Sequence, residues 1–248
     1  DSWYEISNAG QLCWFAEFVN SGNQSANAKL TADINMNGID WTMMSSFSGT
    51  FDGAGHTISG LNGHKAYDDN KHGFIRTLVN GGAVKNLTFN EASVFNNQEG
   101  SGSISAVIAY TNNGTIENCV VKNSLIQSAQ TTLAVVAGEN NGTIRNSASI
   151  SNEVKRRYSS KYEKAASGFV WSNGTNATIE SCMVYDCAYV EASANYAFTQ
   201  SNTGTITNCY YYESSETISD TAATAKTADQ FASGEVAYLL NGSTSTGE

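Results

Sequence analysis

Short stretches of alternating apolar and polar residues, separated by turns rich in Asn, Gly and Ser, follow one another along most of the chain. Residues 29–34 and 55–61 are clear examples. A period of two is typical of a β-strand that buries one face and exposes the other. The pattern therefore predicts a protein built mainly from short strands and tight turns.

Two segments near the chain ends follow a helical period instead. Residues 7–20 repeat apolar side chains every three or four positions, namely Leu12, Phe15, Ala16 and Val19. Residues 227–242 carry a second apolar side, formed by Phe231, Val236, Leu239 and Leu240. Such a stripe is the mark of a half-buried helix, and Ser7 or Asn8 can cap the first one. We expect one amphipathic helix at each end.

One six-residue phrase recurs five times through the middle of the chain. Its fullest form is Gly-Thr-Ile-x-Asn-Cys, and its copies begin at Gly82, Gly114, Gly142, Ala177 and Gly204. A phrase that returns at intervals of about 30 residues marks a repeat architecture. Each repeat contains this phrase, a second strand and a third apolar run, and Asn-Gly turns follow several of these runs. We therefore expect three strands per repeat.

These repeats predict an all-β fold, a right-handed parallel β-helix of about six or seven coils with a short capping α-helix at each end. Strands of successive coils would stack ~4.8 Å apart. The unpaired strand edges at the two ends of the stack must be covered to prevent aggregation. We assign residues 1–22 to the N-terminal capping helix, 23–213 to the repeats, and 214–248 to the C-terminal capping helix and a linker. An antiparallel sandwich is the alternative, but it would not stack the repeated Ile, Asn and Cys in phase.

Charge and composition limit the partners. The formal net charge is −10, with thirteen Lys and Arg, which argues against nucleic acid and anionic membrane surfaces. No apolar stretch approaches the ~20 residues that cross a bilayer, so we expect no membrane insertion. We expect a monomer that forms part of a larger polypeptide, whose other domains are its partners.

Three cysteines occupy one position of the repeated phrase. Cys119, Cys182 and Cys209 share this position, and Ser147 fills it in the intervening repeat. The pattern favours a ladder of small buried side chains. A disulfide between Cys182 and Cys187, or a metal site, is the alternative.

Several stretches resemble secreted bacterial proteins that carry GLUG-type repeats. They are residues 30–34, Trp41, residues 47–61 with the phrase Phe-Asp-Gly-x-Gly-His-x-Ile, residues 73–75 and residues 79–88. Similar stretches occur in large cell-surface proteins of gut and oral bacteria, including regions beside the catalytic domain of immunoglobulin A-cleaving metallopeptidases. The resemblance implies a parallel β-helix on a secreted, multidomain protein at the bacterial cell surface, and it supplies no catalytic residues.

Two metal sites are candidates, and no other cofactor is expected. Asp33, Asn35 and Asn37 match the opening of a calcium loop, although its twelfth position is Met44 instead of Glu. A strand that ends in an Asn-Gly turn is the alternative. The three histidines, His56, His64 and His72, lie close together in sequence but lack a familiar zinc spacing.

The candidate ligand-binding residues fall in two places. Basic and aromatic residues are concentrated at 153–164, within the longest repeat, where Arg156, Arg157, Tyr158, Lys161 and Tyr162 could grip an anionic glycan. A solvated charged loop is the alternative, and a Lys or Arg base of a polysaccharide lyase is another. Tyr210 and Tyr212 lie on one face of a strand and suit sugar rings.

Paired carboxylates are the remaining catalytic candidates. Asp33 with Asp52, or Glu180 with Asp186, could hydrolyse a glycosidic bond if ~5–10 Å apart on one face. No nucleophile elbow, phosphate loop or catalytic triad signature is present. The sequence therefore favours a non-catalytic module for adhesion, which binds a glycan or a host surface glycoprotein. A carbohydrate-active enzyme, either a polysaccharide lyase or a glycoside hydrolase, and a passive spacer are the alternatives.

Overall fold

The protein is a parallel β-helix, as the repeats predict. The computed structural model describes residues 3–63, 71–96, 104–128, 132–156, 165–192, 194–212, 218–219 and 222–242. Within these ranges the strands form six sheets, and every strand pairs in parallel with the equivalent strand of the neighbouring coil. The division of the chain at residues 22 and 213 stays a prediction.

The two longest sheets have eight strands each and follow one another around every coil. The first sheet contains the repeated phrase, and its strands in order are Trp3–Ile6, Asn27–Leu30, Thr50–Asp52, Ala83–Lys85, Thr115–Glu117, Thr143–Arg145, Thr178–Glu180 and Thr205–Thr207. The strands of the second sheet are Ile34–Asn35, Thr57–Ser59, Thr88–Asn90, Val120–Lys122, Ala148–Ile150, Met183–Tyr185, Tyr210–Tyr212 and Thr224–Lys226.

Four shorter sheets complete the circuit. The third sheet comprises Met44–Phe47, Ile75–Leu78, Ala109–Asn112, Ala137–Asn140, Val170–Asn173 and Ser201–Asn202. The fourth comprises Ser93–Asn96, Leu125–Ser128, Glu153–Arg156 and Ala188–Val190. The fifth comprises Lys71–His72, Ile104–Ser105 and Thr132–Leu133, and the sixth comprises Ala165–Ser167 and Ala194–Tyr196.

A middle coil therefore has five strands, and the prediction of three per repeat was wrong. The second predicted strand, at 120–126, is divided into Val120–Lys122 and Leu125–Ser128. The third apolar run is also not one strand. In the repeat at 104–112 it divides into Ile104–Ser105 and Ala109–Asn112. Residues 106–108 between them are buried, so an uninterrupted apolar run conceals the bend from a reading of hydrophobicity alone.

The asparagine of the repeated phrase makes the corner between the first two sheets. Its backbone is left-handed, with φ between 50° and 53°, and the corner residues are Asn86, Asn118, Asn146, Ser181 and Asn208. Asn is among the few non-glycine residues that tolerate this conformation. The phrase thus specifies a turn of fixed hand at the same point of each coil.

The glycine of the phrase permits close stacking of the coils. A Cβ added to Gly142 would overlap the carbonyl oxygen of Gly114, and one added to Gly114 would overlap that of Gly82. Any larger residue at these positions would push two coils apart. Gly is therefore required here for contact between backbones.

Apolar side chains of the first sheet fill the interior. The central residue of the phrase pairs in register with its copies through Phe51, Val84, Ile116, Ile144 and Ile179, all of them fully buried. The next position, Ile206, is half-buried at the end of the stack. Burial at ~25 cal/mol per Å² of apolar surface makes this column stabilising.

The N-terminal helix, Ala9–Asn20, covers one end of the core. Asn8 caps it by accepting a hydrogen bond from the Gln11 amide at 3.0 Å. Its predicted apolar stripe is confirmed, since the buried helical side chains are Leu12, Phe15, Ala16 and Val19. At its last residue the Asn20 side chain donates to the Met43 carbonyl (3.1 Å) and accepts from the Ser45 amide (2.8 Å). Asn20 thereby occupies the open edge of the third sheet as another strand would.

Both chain ends contain elements that the sequence pattern did not predict. Strand Trp3–Ile6 precedes the N-terminal helix and extends the first sheet by pairing with Asn27–Leu30. The single C-terminal helix predicted over 227–242 is instead two short helices, Ala228–Ala232 and Glu235–Leu240. Gly234 separates them with φ 85°, which interrupts the helical path. None of the described helices is long and apolar enough to cross a bilayer.

Candidate functional site

The basic segment at 153–164 is attached to the rod by two described strands. It leaves the fourth sheet at Arg156 and returns to the sixth sheet at Ala165. The Arg156 side chain is 3% exposed, and its Nε donates to the Ala165 carbonyl at 3.3 Å. Burial lowers the pKa of this guanidinium. Arg156 therefore joins the two ends of the segment.

The other predicted ligand-binding residues of this segment, Arg157, Tyr158, Lys161 and Tyr162, lie outside the described residues. Their role in binding stays a prediction. The position of Arg156 shows what the sequence missed. A basic residue beside an insertion is usually exposed. Here the strand that contains Arg156 pairs it with Ser128, and its side chain is buried.

The two candidate tyrosines of the second sheet are half-buried and contact the C-terminal cap. The Tyr212 ring lies 5.2 Å from Tyr185 and 6.4 Å from Phe231, measured between centroids. The Tyr210 hydroxyl donates to Asn208 Oδ1 at 2.9 Å, and Lys226 Nζ lies 5.7 Å from the Tyr210 ring. The structure thus places these tyrosines together under the cap, and sugar binding by them stays a prediction.

The three candidate calcium ligands make separate local hydrogen bonds. Asp33 Oδ1 accepts from the Thr57 amide at 2.9 Å and lies 3.1 Å from His56 Nδ1, and these hydrogen bonds lower the pKa of the Asp33 carboxyl. Asn35 Oδ1 accepts from the Asn37 amide at 2.9 Å, which closes a turn. Calcium binding by Asp33, Asn35 and Asn37 stays a prediction.

The histidine cluster is described only in part. His64 and the side chain of His72 lie outside the described residues. Among the side chains that the structure describes, no three His, Cys, Asp or Glu residues are grouped as metal ligands would be.

The candidate catalytic carboxylates are held by neighbouring groups. Asp52 Oδ1 accepts from the Ala54 amide (2.8 Å) and from Asn86 Nδ2 (3.0 Å), and Oδ2 lies 3.4 Å from Lys85 Nζ. Burial opposes the ionisation of Asp52, but these hydrogen bonds and the Lys85 charge outweigh it, so its pKa is lowered. A carboxyl with a lowered pKa is ionised at neutral pH and cannot serve as a general acid. Asp186 accepts from the Ser151 hydroxyl at 3.3 Å.

A ladder of alternating charges runs along the first sheet. Strand pairing places acidic and basic residues in strict alternation from the N-terminal edge, in the order Glu5, Lys29, Asp52, Lys85, Glu117, Arg145 and Glu180. Within it Arg145 Nε lies 3.0 Å from Glu117 Oε1. Opposite charges side by side on adjacent strands stabilise a sheet, and like charges destabilise it. The sequence reveals this ladder only once the register of the coils is known.

A ladder of buried asparagines runs along the third sheet. Each Nδ2 donates to the Oδ1 of the next coil, from Asn112 to Asn140 at 2.7 Å, from Asn140 to Asn173 at 2.8 Å, and from Asn173 to Asn202 at 2.9 Å. The two inner members, Asn140 and Asn173, both donate to one neighbour and accept from the other. Asn112 and Asn140 lie just before the Asn-Gly turns at 113–114 and 141–142, and Asn173 belongs to the one at 173–174; we interpreted that region as turn chemistry alone.

The predicted cysteine ladder is confirmed. Cys119, Cys182 and Cys209 are buried, with Ser147 buried at the position between the first two. All five cysteines are free, so the alternative disulfide between Cys182 and Cys187 is absent from the structure. Burial raises the pKa of Cys119 to about 12, which makes it a poor nucleophile and metal ligand near neutrality.

Three aromatic rings form a cluster on the outer side of the N-terminal cap, and the sequence pattern did not identify it. We call Tyr4, Trp14 and Phe18 the aromatic platform. The rings of Trp14 and Phe18 stack with centroids 5.1 Å apart and planes 12° apart. The Tyr4 ring lies 5.1 Å from Phe18 and 5.7 Å from Trp14. The sequence did contain one signal for this platform, because Trp14 lies outside the apolar stripe of an amphipathic helix.

Comparison with known proteins supports the fold. No family model and no curated protein matches the sequence. A crystal structure from Bacteroides ovatus, of a protein provisionally named an immunoglobulin A1 protease, matches with a TM-score of 0.59 at 19% identity, over 96% of this chain and 88% of that one. A second structure, named IgA1 Protease, matches with a TM-score of 0.49 at 16% identity, over 90% of this chain and 21% of that one. At these identities the likeness shows the fold, and the GLUG repeat type stays a prediction.

Proposed function

We propose that this chain is a non-catalytic, extracellular β-helix module of a larger bacterial surface protein, and that it binds a glycan or a host glycoprotein. The observation that carries the proposal is the fixed base of the 157–164 segment. Two paired strands and the bond from Arg156 to the Ala165 carbonyl hold its ends in place. Segments that leave a regular scaffold are where repeat proteins place binding residues.

The fold likeness is consistent with an accessory module. The Bacteroides ovatus protein is provisionally named an immunoglobulin A1 protease. A module that holds such a protein at a mucosal glycan would supply local concentration without chemistry of its own. The engaged state of Asp52 and Asp186 accords with a structural use of those carboxylates.

The experiment is a binding screen of the purified chain against glycans and mucins, with soluble products analysed in the same wells. We expect binding without products. Changing Lys161→Ala should weaken the binding, whereas Lys122→Ala, which removes the same charge from the second sheet, should not. Product formation would contradict the proposal and favour a carbohydrate-active enzyme.

A passive spacer is the second candidate, because the charge and asparagine ladders run through successive coils and stiffen the rod. Absence of binding in the whole screen would favour the spacer. In that case small-angle scattering should fit a rigid rod.

A further inference from the structure

We propose that the aromatic platform of Tyr4, Trp14 and Phe18 is a binding site for neutral sugars. This inference rests on the proposed glycan-binding function and adds a second site, on the N-terminal cap, with its own class of ligand. The site differs from the basic segment at 157–164 in position and in charge.

The aromatic platform is preorganised. Trp14 and Phe18 lie one turn apart on the same helix, so they share a face. Tyr4 lies on a strand that pairs with Asn27–Leu30, and its ring also contacts the fully buried Phe15 at 6.0 Å. The rings are therefore held in place before any ligand arrives, which reduces the entropic cost of binding.

The helix exposes the Trp14 ring selectively. The helix buries its aliphatic side chains completely, with Leu12 and Val19 at 0% exposure, yet it leaves Trp14 50% exposed. The same cap also exposes Trp3 at 44%. An exposed aromatic ring suits ligands that present C–H faces. Sugars offer such faces, ringed by hydroxyl groups.

Polar side chains border the platform. Gln11 lies one turn before Trp14, and its Oε1 accepts from the Ser7 amide at 2.7 Å and from the Ser7 hydroxyl at 3.1 Å. This fixes the side-chain amide and leaves its NH₂ as a donor for a ligand oxygen. At the other end, Asn23 Nδ2 donates to the Phe18 carbonyl at 3.1 Å. Fixed amides beside an aromatic surface can recognise sugar hydroxyls.

The negative charge around the platform favours neutral sugars over acidic ones. The exposed carboxylate of Glu17 lies on the helix that carries Trp14 and Phe18, and the helix has no basic residue in its last turn. The chain has a net charge of −10. This field repels uronic and sialic acids, whereas carboxylates accept hydrogen bonds from neutral hydroxyls.

The experiment titrates the full chain with neutral hexasaccharides of glucose, mannose and galactose, and with a uronic acid hexasaccharide as the anionic comparison. Binding is followed by the indole N–H signals of the four tryptophans, assigned with Trp14→Phe. We expect a neutral hexasaccharide to shift the Trp14 signal. Trp14→Ala should raise the Kd about tenfold or more, whereas Tyr238→Ala, which removes an exposed ring from the C-terminal cap, should leave it unchanged.

The outcomes separate this inference from the proposed function. If Lys161→Ala abolishes glycan binding and Trp14→Ala does not, the proposed function stands and the platform inference is wrong. If no neutral hexasaccharide binds, the platform inference is wrong, and the proposed function is decided by the glycan and mucin screen. Binding of a deglycosylated host protein through Trp14 would also overturn the sugar assignment, since the platform would then be a protein-docking surface. The wild-type indole shifts test the inference even if the Trp14→Ala variant fails to fold.

Discussion

The asparagine ladder of the third sheet provides the sharpest test of how the coils are held together. Asn112, Asn140 and Asn173 are at most 1% exposed, and Asn140 lies between the other two. Asn140→Ala removes the acceptor of Asn112 Nδ2 and the donor to Asn173 Oδ1. Both groups then remain buried without their principal partner.

The cost follows from the desolvation of these two groups. A buried donor or acceptor that loses its partner costs about 1–3 kcal/mol, so two such groups cost about 2–6 kcal/mol. Asn112 Nδ2 keeps a longer hydrogen bond to the Thr143 carbonyl at 3.3 Å, which places the expected loss in the lower half of that range. Domains are stable by only about 5–15 kcal/mol, so the loss is a large fraction of the total.

The matched control is Asn141→Ala, the same change one residue along the chain. Asn141 is exposed, and its side-chain hydrogen bond to Asn113 (3.2 Å) is open to solvent. We therefore expect its free energy of unfolding to change by no more than about 0.5 kcal/mol. Urea unfolding followed by circular dichroism, with calorimetry as a second probe, gives both values. Equal losses for Asn140→Ala and Asn141→Ala would refute the argument that buried amide pairing stabilises the stack.

Three further predictions concern charge, edges and thiols. Arg145→Glu should destabilise the protein by about 1–2 kcal/mol in low salt, because like charges then adjoin along the first sheet; adding Glu117→Arg should restore part of the loss, and a urea midpoint that is insensitive to salt would contradict this. Asn20→Ala should cause self-association in analytical ultracentrifugation, because it frees the strand edge at Met43–Ser45, whereas Asn23→Ala should not. Iodoacetamide at pH 8 should leave Cys119 unmodified in the folded protein by mass spectrometry. Its pKa is raised from 9.0 to about 12, so its contribution to stability is full below about pH 9 and is lost as the pH rises towards 12.

Most of the fold could be predicted from the sequence because the repeat encodes local geometry. The Asn of the phrase fits a left-handed corner and the Gly fits backbone contact, and these requirements recur in each coil. The central Ile needs an apolar interior. The helical stripe over residues 12–19 was also predictable, because burial at every third or fourth position requires no knowledge of distant residues.

The features that depend on register were not identified from the sequence. The charge ladder joins residues such as Lys85 and Glu117 that lie far apart in sequence, and it appears only when successive coils are aligned. The same holds for the buried amide pairs of Asn140. Aligning the copies of the phrase places Lys85, Glu117, Arg145 and Glu180 at its fourth position, so this part of the ladder could have been found. The other three members, Glu5, Lys29 and Asp52, lie outside the five copies.

The candidate sites were the hardest to predict, because each lies where the repeat is interrupted. Arg156 was predicted to contact a ligand because of its basic and aromatic neighbours, and its strand pairing buries it. Trp14 was not identified as a site residue. It stacks on Phe18 within the helix, and its contact with Tyr4 depends on strand Trp3–Ile6, which the sequence pattern did not predict.

This contrast suggests where specificity resides in such a protein. A coil that copies its neighbour offers the same side chains again and again, and most of them are already engaged in ladders between coils. A ligand that must be distinguished from others needs a unique arrangement, which a repeat cannot supply. The cap that carries Trp14 and the segment that follows Arg156 are two places where the repeat is interrupted. We therefore expect substitutions in the ladders to change stability, and substitutions at these two interruptions to change binding.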